Sequence, residues 1–327
     1  MKVERVDDFA AVGETVWDRL LERSAFASPF LSWAWQTAWF AAFGGARRLQ
    51  LLGVRDGAGE LVGLLSLYEH APGLFRLVGG GAVSDYLDLT AASGREEEAW
   101  AALLQSRSAT GHVWELESIR SESPTATIVP ALAPAYGLRA ERLVTERCPV
   151  LDLAATWDTY LASLGGKQRH ELLRKIRRLE RERPRAAAVA HATPEAVEAH
   201  LSEFFRLHRG SRTGKARFMD EAMERFFRIA IGALTARGAA RLWMLEEGGY
   251  ALATFVCLEW PGHVGLYNSG FDVSQAALSP GIVLLGHVIR DAIDRGARRF
   301  DFLRGDEPYK LALGGRPEAL YEIRVGR

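Results

Sequence analysis

Three carboxylates, Asp301, Asp306 and Glu307, fall within seven residues near the C-terminal end of the chain, with Tyr309 and Lys310 just behind them. Carboxylates so placed suit proton transfer, because one held beside a nucleophile collects the proton released as a bond forms. Asp301 lies in an extended run between Phe300 and Phe302, so strand alternation turns it away from both rings. The same placement describes a buried carboxylate satisfied by backbone or by Arg304, since structural ion-pair networks hold such groups as readily as active sites do. Asp306 is equally a helix cap, and Glu307 with Lys310 equally a surface pair on one helical side. Upstream, Tyr267 and Asn268 end a predicted strand, where a phenol and an amide either meet a ligand or simply pack and turn the chain. Ser279-Pro280-Gly281 opens a predicted helix, with Ser279 as N-cap and Pro280 where a missing amide hydrogen costs nothing. The amides that follow are unpaired donors facing an anion.

Other chemistries find little support. No HExxH, phosphate-loop or serine-hydrolase elbow pattern occurs, and His170, His208, His263 and His287 have no zinc-like spacing. Of the two cysteines, Cys148 and Cys257, the second lies between Val256 and Leu258 in a predicted strand and reads as core. Two distant thiols build neither a disulfide framework nor a thiolate cluster.

The elements that must position these groups change character along the chain. An amphipathic start through Trp17, Leu20 and Leu21 precedes a helix over 32–43 carrying Trp33 and Trp35, which line a pocket or fill a core. Residues 49–55 and 61–68 read as a hairpin across Asp56-Gly57-Ala58-Gly59-Glu60. Extended runs at 74–78, 86–89 and 113–119 flank a helix over 95–105, and 121–137 is rich in Ser, Pro, Thr and Ala. From Thr156 a helical pattern begins, followed by a helix over 167–183 with Leu172, Ile176 and Leu179 on one face. Helices near 197–207 and 219–234 come next. Three strands, 241–245, 251–259 and 264–268, are joined by turns short enough to make them antiparallel neighbours. A helix from Pro280, a strand over 298–303, a short helix over 306–313 and a strand over 319–325 complete an α+β pattern without repeated βα units.

With 327 residues the chain exceeds what single cores usually fill, and Leu151–Leu153 closes a first half, so two domains are expected, 1–153 and 154–327. The 41 basic and 41 acidic side chains cancel, which gives no global field for nucleic acid. Locally, Lys167, Arg169, Arg174, Lys175, Arg177, Arg178, Arg181, Arg183 and Arg185 put nine positive charges in nineteen residues, six net of Glu171, Glu180 and Glu182. That run reads as a solvated helix face or as a phosphate-attracting patch. Acidic groups stand where a signal peptide carries its apolar run, and no uninterrupted apolar segment approaches a membrane span, so a cytoplasmic protein is expected.

At Tyr267–Asp272, Ser279-Pro280-Gly281 and the run from Asp301 to Lys310, the chain resembles the CelD-like acetyltransferase family associated with bacterial cellulose biosynthesis, within the GNAT superfamily. The likeness is strongest from Trp157 onward and weaker at Phe30-Leu31-Ser32-Trp33 and Ser84-Asp85-Tyr86. It is similar, too, to the tandem aminoacyl transferases of the Fem type. The resemblance implies an α+β fold of two GNAT-like domains, each a mixed, mostly antiparallel sheet flanked by helices, the first degenerate and the second an acyltransferase. It implies an acyl-CoA cosubstrate, acetyl-CoA or longer, without a permanently bound cofactor, and a small-molecule amine as acceptor, with tRNA as partner only in a Fem-type alternative. A non-catalytic binding or assembly role in exopolysaccharide synthesis is the third reading. By the same resemblance Asp301, Glu307 and Tyr267 are catalytic, the tyrosine protonating a departing thiolate or orienting the thioester. Asn268, Ser279, Gly281 and Arg304 contact coenzyme A, and Asp85, Tyr86, Arg169 and Lys310 contact the acceptor. Asn268 is also placed to meet the acceptor. The family's phosphate signature of Gln or Arg, two residues, Gly, one residue, then Gly or Ala is met only at Gly281, since Ala276 and Ser279 occupy its first two fixed positions.

Overall fold

The computed structural model describes residues 1–81, 83–108, 111–211 and 213–327. They form two compact units, Met1–Arg147 with Glu318–Arg327, and Cys148–Pro317. The fold is α+β, with mixed, mostly antiparallel strands flanked by helices.

The first unit runs β1 (Lys2–Val6), α1 (Glu14–Glu22), α2 (Trp33–Trp39), β2 (Leu49–Arg55), β3 (Leu61–Ala71), β4 (Leu74–Leu77), β5 (Thr90–Ala91), α3 (Glu96–Ser108), β6 (Val113–Arg120), α4 (Thr125–Leu132) and the start of β7 (Arg139–Asp152). The expected hairpin forms in register, with Leu52 opposite Leu65. β4 and β6 are parallel, because the connection between them is long enough to carry α3 across the sheet. The stretch 86–89 is not a strand. It is held instead by single bonds: Leu87 N donates to the Ser118 carbonyl at 3.1 Å, and the Asp88 carboxylate accepts from Ser123, Thr125 and the Leu89 amide. Burial pushes the Asp88 carboxyl upward against those three donors.

The Ser/Pro/Thr/Ala-rich stretch hides a helix, α4, with Pro130 inside it. Proline cannot donate to the carbonyl four residues back, and the Arg142 guanidinium does so in its place, 2.7 Å from the Ala126 oxygen. β7 is fourteen residues long and mostly exposed over its charged first part, which is why an apolar pattern reveals only its end.

The second unit carries α5 (Trp157–Ser163), α6 (Gly166–Glu182), β8 (Ala187–His191), α7 (Pro194–Ser211), α8 (Thr213–Phe218), α9 (Glu221–Ala236), β9 (Ala240–Glu247), β10 (Tyr250–Trp260), β11 (His263–Phe271), α10 (Pro280–Asp294), β12 (Arg299–Asp301) and α11 (Pro308–Ala312). From the end of β7 its strand order is β12, β11, β10, β9, β8, with β11 and β12 the parallel pair. β10 is buried on both faces from Ala251 to Leu258, and all of these residues but Thr254 are apolar, because both faces are covered. Tyr160, Leu172, Leu179, Leu285 and Ile289 of α5, α6 and α10 share one buried cluster with Phe255 and Leu266. Phe204 of α7 and Phe227 of α9 stack with centroids 5.7 Å apart, and the Phe227 ring also stacks on Tyr267 of β11. Each fully buried Leu or Phe of this kind contributes roughly 1.5–3 kcal/mol. The final strand, β13 (Arg316–Gly326), pairs with β6, so residues 318–327 belong to the first unit although they follow the second in sequence.

Candidate active site

β11 and β12 are paired over three positions only, ending at Gly265 opposite Asp301. β12 stops there while β11 runs on to Phe271, so the two strands part. On its other edge β11 carries a bulge. Asn268 faces Val256 and Leu266 faces Cys257, which leaves Tyr267 as the extra residue. A bulge bends its strand and frees backbone groups from the ladder.

The opening beside the parted strands is a cleft of about 280 Å³ walled by Phe255, Ser269, Phe271 and Leu285, with Ser279 and Gly281 at one side and Glu307 and Tyr309 at another. Ser279 precedes α10 with φ 51° and ψ 47°, and its hydroxyl makes no capping bond. The expected side-chain cap is therefore absent. Its carbonyl accepts from Ile282 and Val283 instead. The left-handed conformation is the one a glycine favours, and Ser279 stands where the GNAT phosphate signature has its first glycine. A Cβ built on Gly281 meets nothing within 4 Å, so ligand atoms have room to approach the helix start.

The loop from Leu303 to Gly305 is fixed from within. Leu303 has φ 53° and Gly305 φ 114°. The Asp301 carboxylate, on a residue 3% exposed, accepts the Leu303 amide at 2.7 Å. Lys310, also 3% exposed, donates to the carbonyls of Leu303, Arg304 and Gly305 at 3.2, 2.7 and 3.3 Å and pairs with Glu307 at 3.0 Å. Three carbonyls and a carboxylate meet the donors of an ammonium group in full. Lys310 is thus an anchor for this loop rather than the surface partner that spacing alone allows. The helix after the loop begins at Pro308 with Glu307 at the cap position. Asp306, expected to cap it, is exposed one residue too early.

The structure brings Ser279, Gly281 and Glu307 to the cleft, and Asp301 at the end of β12 and Lys310 of α11 hold the loop that carries Arg304. Tyr267 packs its ring on Phe227 at 5.6 Å, and Asn268 lies opposite Val256 rather than on the face of Ser269 and Phe255. Arg169 is exposed on α6. In the first unit, Asp85 and Tyr86 are 7% and 3% exposed, with the Arg120 guanidinium 5.0 Å from the Tyr86 ring centre. Trp35 is core, its indole N–H donating to Ser84. Phe255, Ser269, Phe271 and Leu285 escaped sequence reasoning because only strand pairing and helix packing make them neighbours.

Much of the basic run on α6 is neutralised locally. Glu171 pairs with Arg174 and Lys175, Glu182 with Arg178 and Arg181, and Glu247 with Arg183. The hydrogen bond from Arg174 holds the Glu171 carboxyl down at about 2. Cys257 is fully buried, and desolvation pushes its thiol far up, which suits packing rather than nucleophilic attack. Among the described residues no helix is long and apolar enough to cross a membrane.

Residues 166–311 match the family model described as Acetyltransferase (GNAT) domain. The chain is similar in structure to FemX, with a TM-score of 0.65 at 12% identity over 98% of this chain and 97% of that one. A conserved protein of unknown function from Bacteroides thetaiotaomicron VPI-5482 gives 0.64 at 12% identity with both chains covered fully. L-PGS from Bacillus licheniformis gives 0.60 at 12% identity over 95% of this chain and 91% of that one. No curated protein matches. The family match is thus confined to residues 166–311, and over its length the chain is similar in fold to FemX and L-PGS.

Proposed function

We propose that the protein is an acyl-CoA-dependent N-acyltransferase, with the donor bound in the cleft of the second unit and a small-molecule, amino-sugar or cell-envelope amine as acceptor. In this reading the second unit, Cys148–Pro317 rather than the expected 154–327, is the acyltransferase domain, and the first unit, expected at 1–153, is its degenerate GNAT-like companion. The observation that supports it most directly is the cleft itself, which opens where β11 and β12 part and has the start of α10 in its wall. Apolar walls suit a pantetheine arm, and helix-start amides suit its phosphates.

The amine attacks the thioester carbonyl, a C–N bond forms, and the tetrahedral oxyanion collapses with loss of the coenzyme A thiolate. Backbone amides of β11 stabilise the oxyanion. Glu307, at the cleft wall, takes the amine proton directly or through water. Asp301 holds the Leu303 bend that places the loop before α11.

A Fem-type aminoacyl-tRNA-dependent reading has one specific observation in its favour. Lys167, Arg169, Arg177 and Arg185 form no salt bridge among the described residues, leaving α6 and the turn after it a cationic strip beside a degenerate phosphate signature.

Calorimetric titration with acetyl-CoA and a longer acyl-CoA, against Gly281→Glu, separates these readings. Saturable binding lost in the variant supports the thioester site. A folded protein that binds neither thioester sinks it and directs effort to charged tRNA.

A further inference from the structure

Away from the cleft, His191 at the end of β8, His200 in α7 and Glu246 of β9 converge. One ring nitrogen of each histidine and a carboxylate oxygen lie within 4.8 Å of one another, the one such cluster among the described residues. The imidazole rings stack with centroids 3.8 Å apart and 18° between planes. Imidazole ligates metal in its neutral form.

Each ring has a defined nitrogen to offer. His200 Nδ1 lies 2.7 Å from the Ala196 carbonyl oxygen. A carbonyl only accepts, so Nδ1 carries the hydrogen and Nε2 keeps the lone pair. Such backbone carbonyl contacts commonly orient metal-binding histidines. His191 Nε2 is buried without a hydrogen-bond partner. No Lys or Arg pairs with Glu246 among the described residues.

We propose that His191, His200 and Glu246 form a binding site for one zinc-type divalent cation, tying α7 to the β8–β9 edge of the second unit. Two imidazoles and a carboxylate suit Zn(II), and three protein ligands leave a fourth position for water. Tetrahedral coordination at about 2.0–2.1 Å sets ligand atoms roughly 3.3 Å apart, so side-chain rotation closes the remaining gap on binding. None of the three residues lines the acyl cleft.

The test is titration of chelator-treated protein with Co(II), read by its visible d–d absorption, followed by displacement with Zn(II). One equivalent with the intensity of a four-coordinate centre is expected, together with a higher unfolding temperature in Zn(II), because the cation binds the folded state. His191→Asn, His200→Ala and Glu246→Gln should each weaken binding by more than about tenfold. His170→Ala, on the exposed face of α6, should leave it unchanged. Glu246→Gln preserves shape and keeps the test decisive if a histidine variant misfolds. Absence of saturable binding, binding that survives the ligand substitutions, or equal weakening by His170→Ala would overturn the proposal.

Discussion

A Cβ placed on Gly270 of β11 would stand 2.5 Å from the backbone nitrogen of His208 in α7, and the His208 ring Nδ1 lies 3.0 Å from the Ser269 oxygen. Strand and helix therefore meet backbone to backbone at the cleft strand, and only hydrogen fits between them. Gly270→Ala forces the two apart, and overpacking of this kind costs about 3 kcal/mol. Urea unfolding of the variant should show that loss. An unchanged midpoint would mean that α7 moves away freely.

Lys310 joins three carbonyls and Glu307 in one buried knot. Lys310→Met keeps the length of the side chain and removes every donor, so stability should fall by about 3 kcal/mol or more. Chemical denaturation measures the loss. A variant as stable as the parent would show that water replaces the ammonium group and would return Lys310 to candidacy as an acceptor ligand.

Ser279 holds a left-handed conformation at the start of α10. That conformation costs a non-glycine residue roughly 1–2 kcal/mol, partly offset by the extra freedom glycine has when unfolded. Ser279→Gly should raise stability by up to about 1 kcal/mol and restore the signature glycine. Acyl-CoA affinity retained or improved in calorimetry would mark the backbone as the donor to phosphate, whereas a large loss would assign that role to the hydroxyl.

His287 of α10 lies in a groove with Trp157, Arg177, Glu180 and Arg290. Burial pushes its pKa below 6.5, Glu180 opposes the shift and Arg290 adds to it. Below 6.5 the unfolded chain takes up a proton that the folded protein resists, so stability present above 6.5 is lost as pH falls through the lowered folded value. His287→Leu removes this dependence. Unfolding free energies at stepped acidic pH should fall less steeply in the variant than in the parent, and parallel slopes would rule the histidine out as the cause.

The hairpin at 49–68, the meander of β9, β10 and β11, and the start of α10 at Pro280 were all legible, because alternation, helical periodicity and Gly- or Pro-bearing turns are local signals. β7 was legible only at its apolar end, its charged exposed part having no such signal. α4 was obscured by Pro130, whose lost hydrogen bond is replaced by Arg142, a residue that helical pattern does not mark. Within the candidate site, Ser279, Gly281 and Glu307 stood out by residue type and position. Phe255, Ser269 and Phe271 did not, since register and a bulge decide which side chains share the cleft face.

The sequence by itself determined where most helices and strands lie, the helix start that faces the cleft, and the acidic run beyond β12. Tertiary structure decided that β11 and β12 part after Gly265, that Tyr267 is the bulged residue, that Lys310 is an anchor, and that His191, His200 and Glu246 meet. It also returned the last strand to the first unit. The physical reason is one of range. Propensity and periodicity act over a few residues, whereas register, strand divergence and the meeting of side chains from three elements depend on partners that only the packed chain brings together.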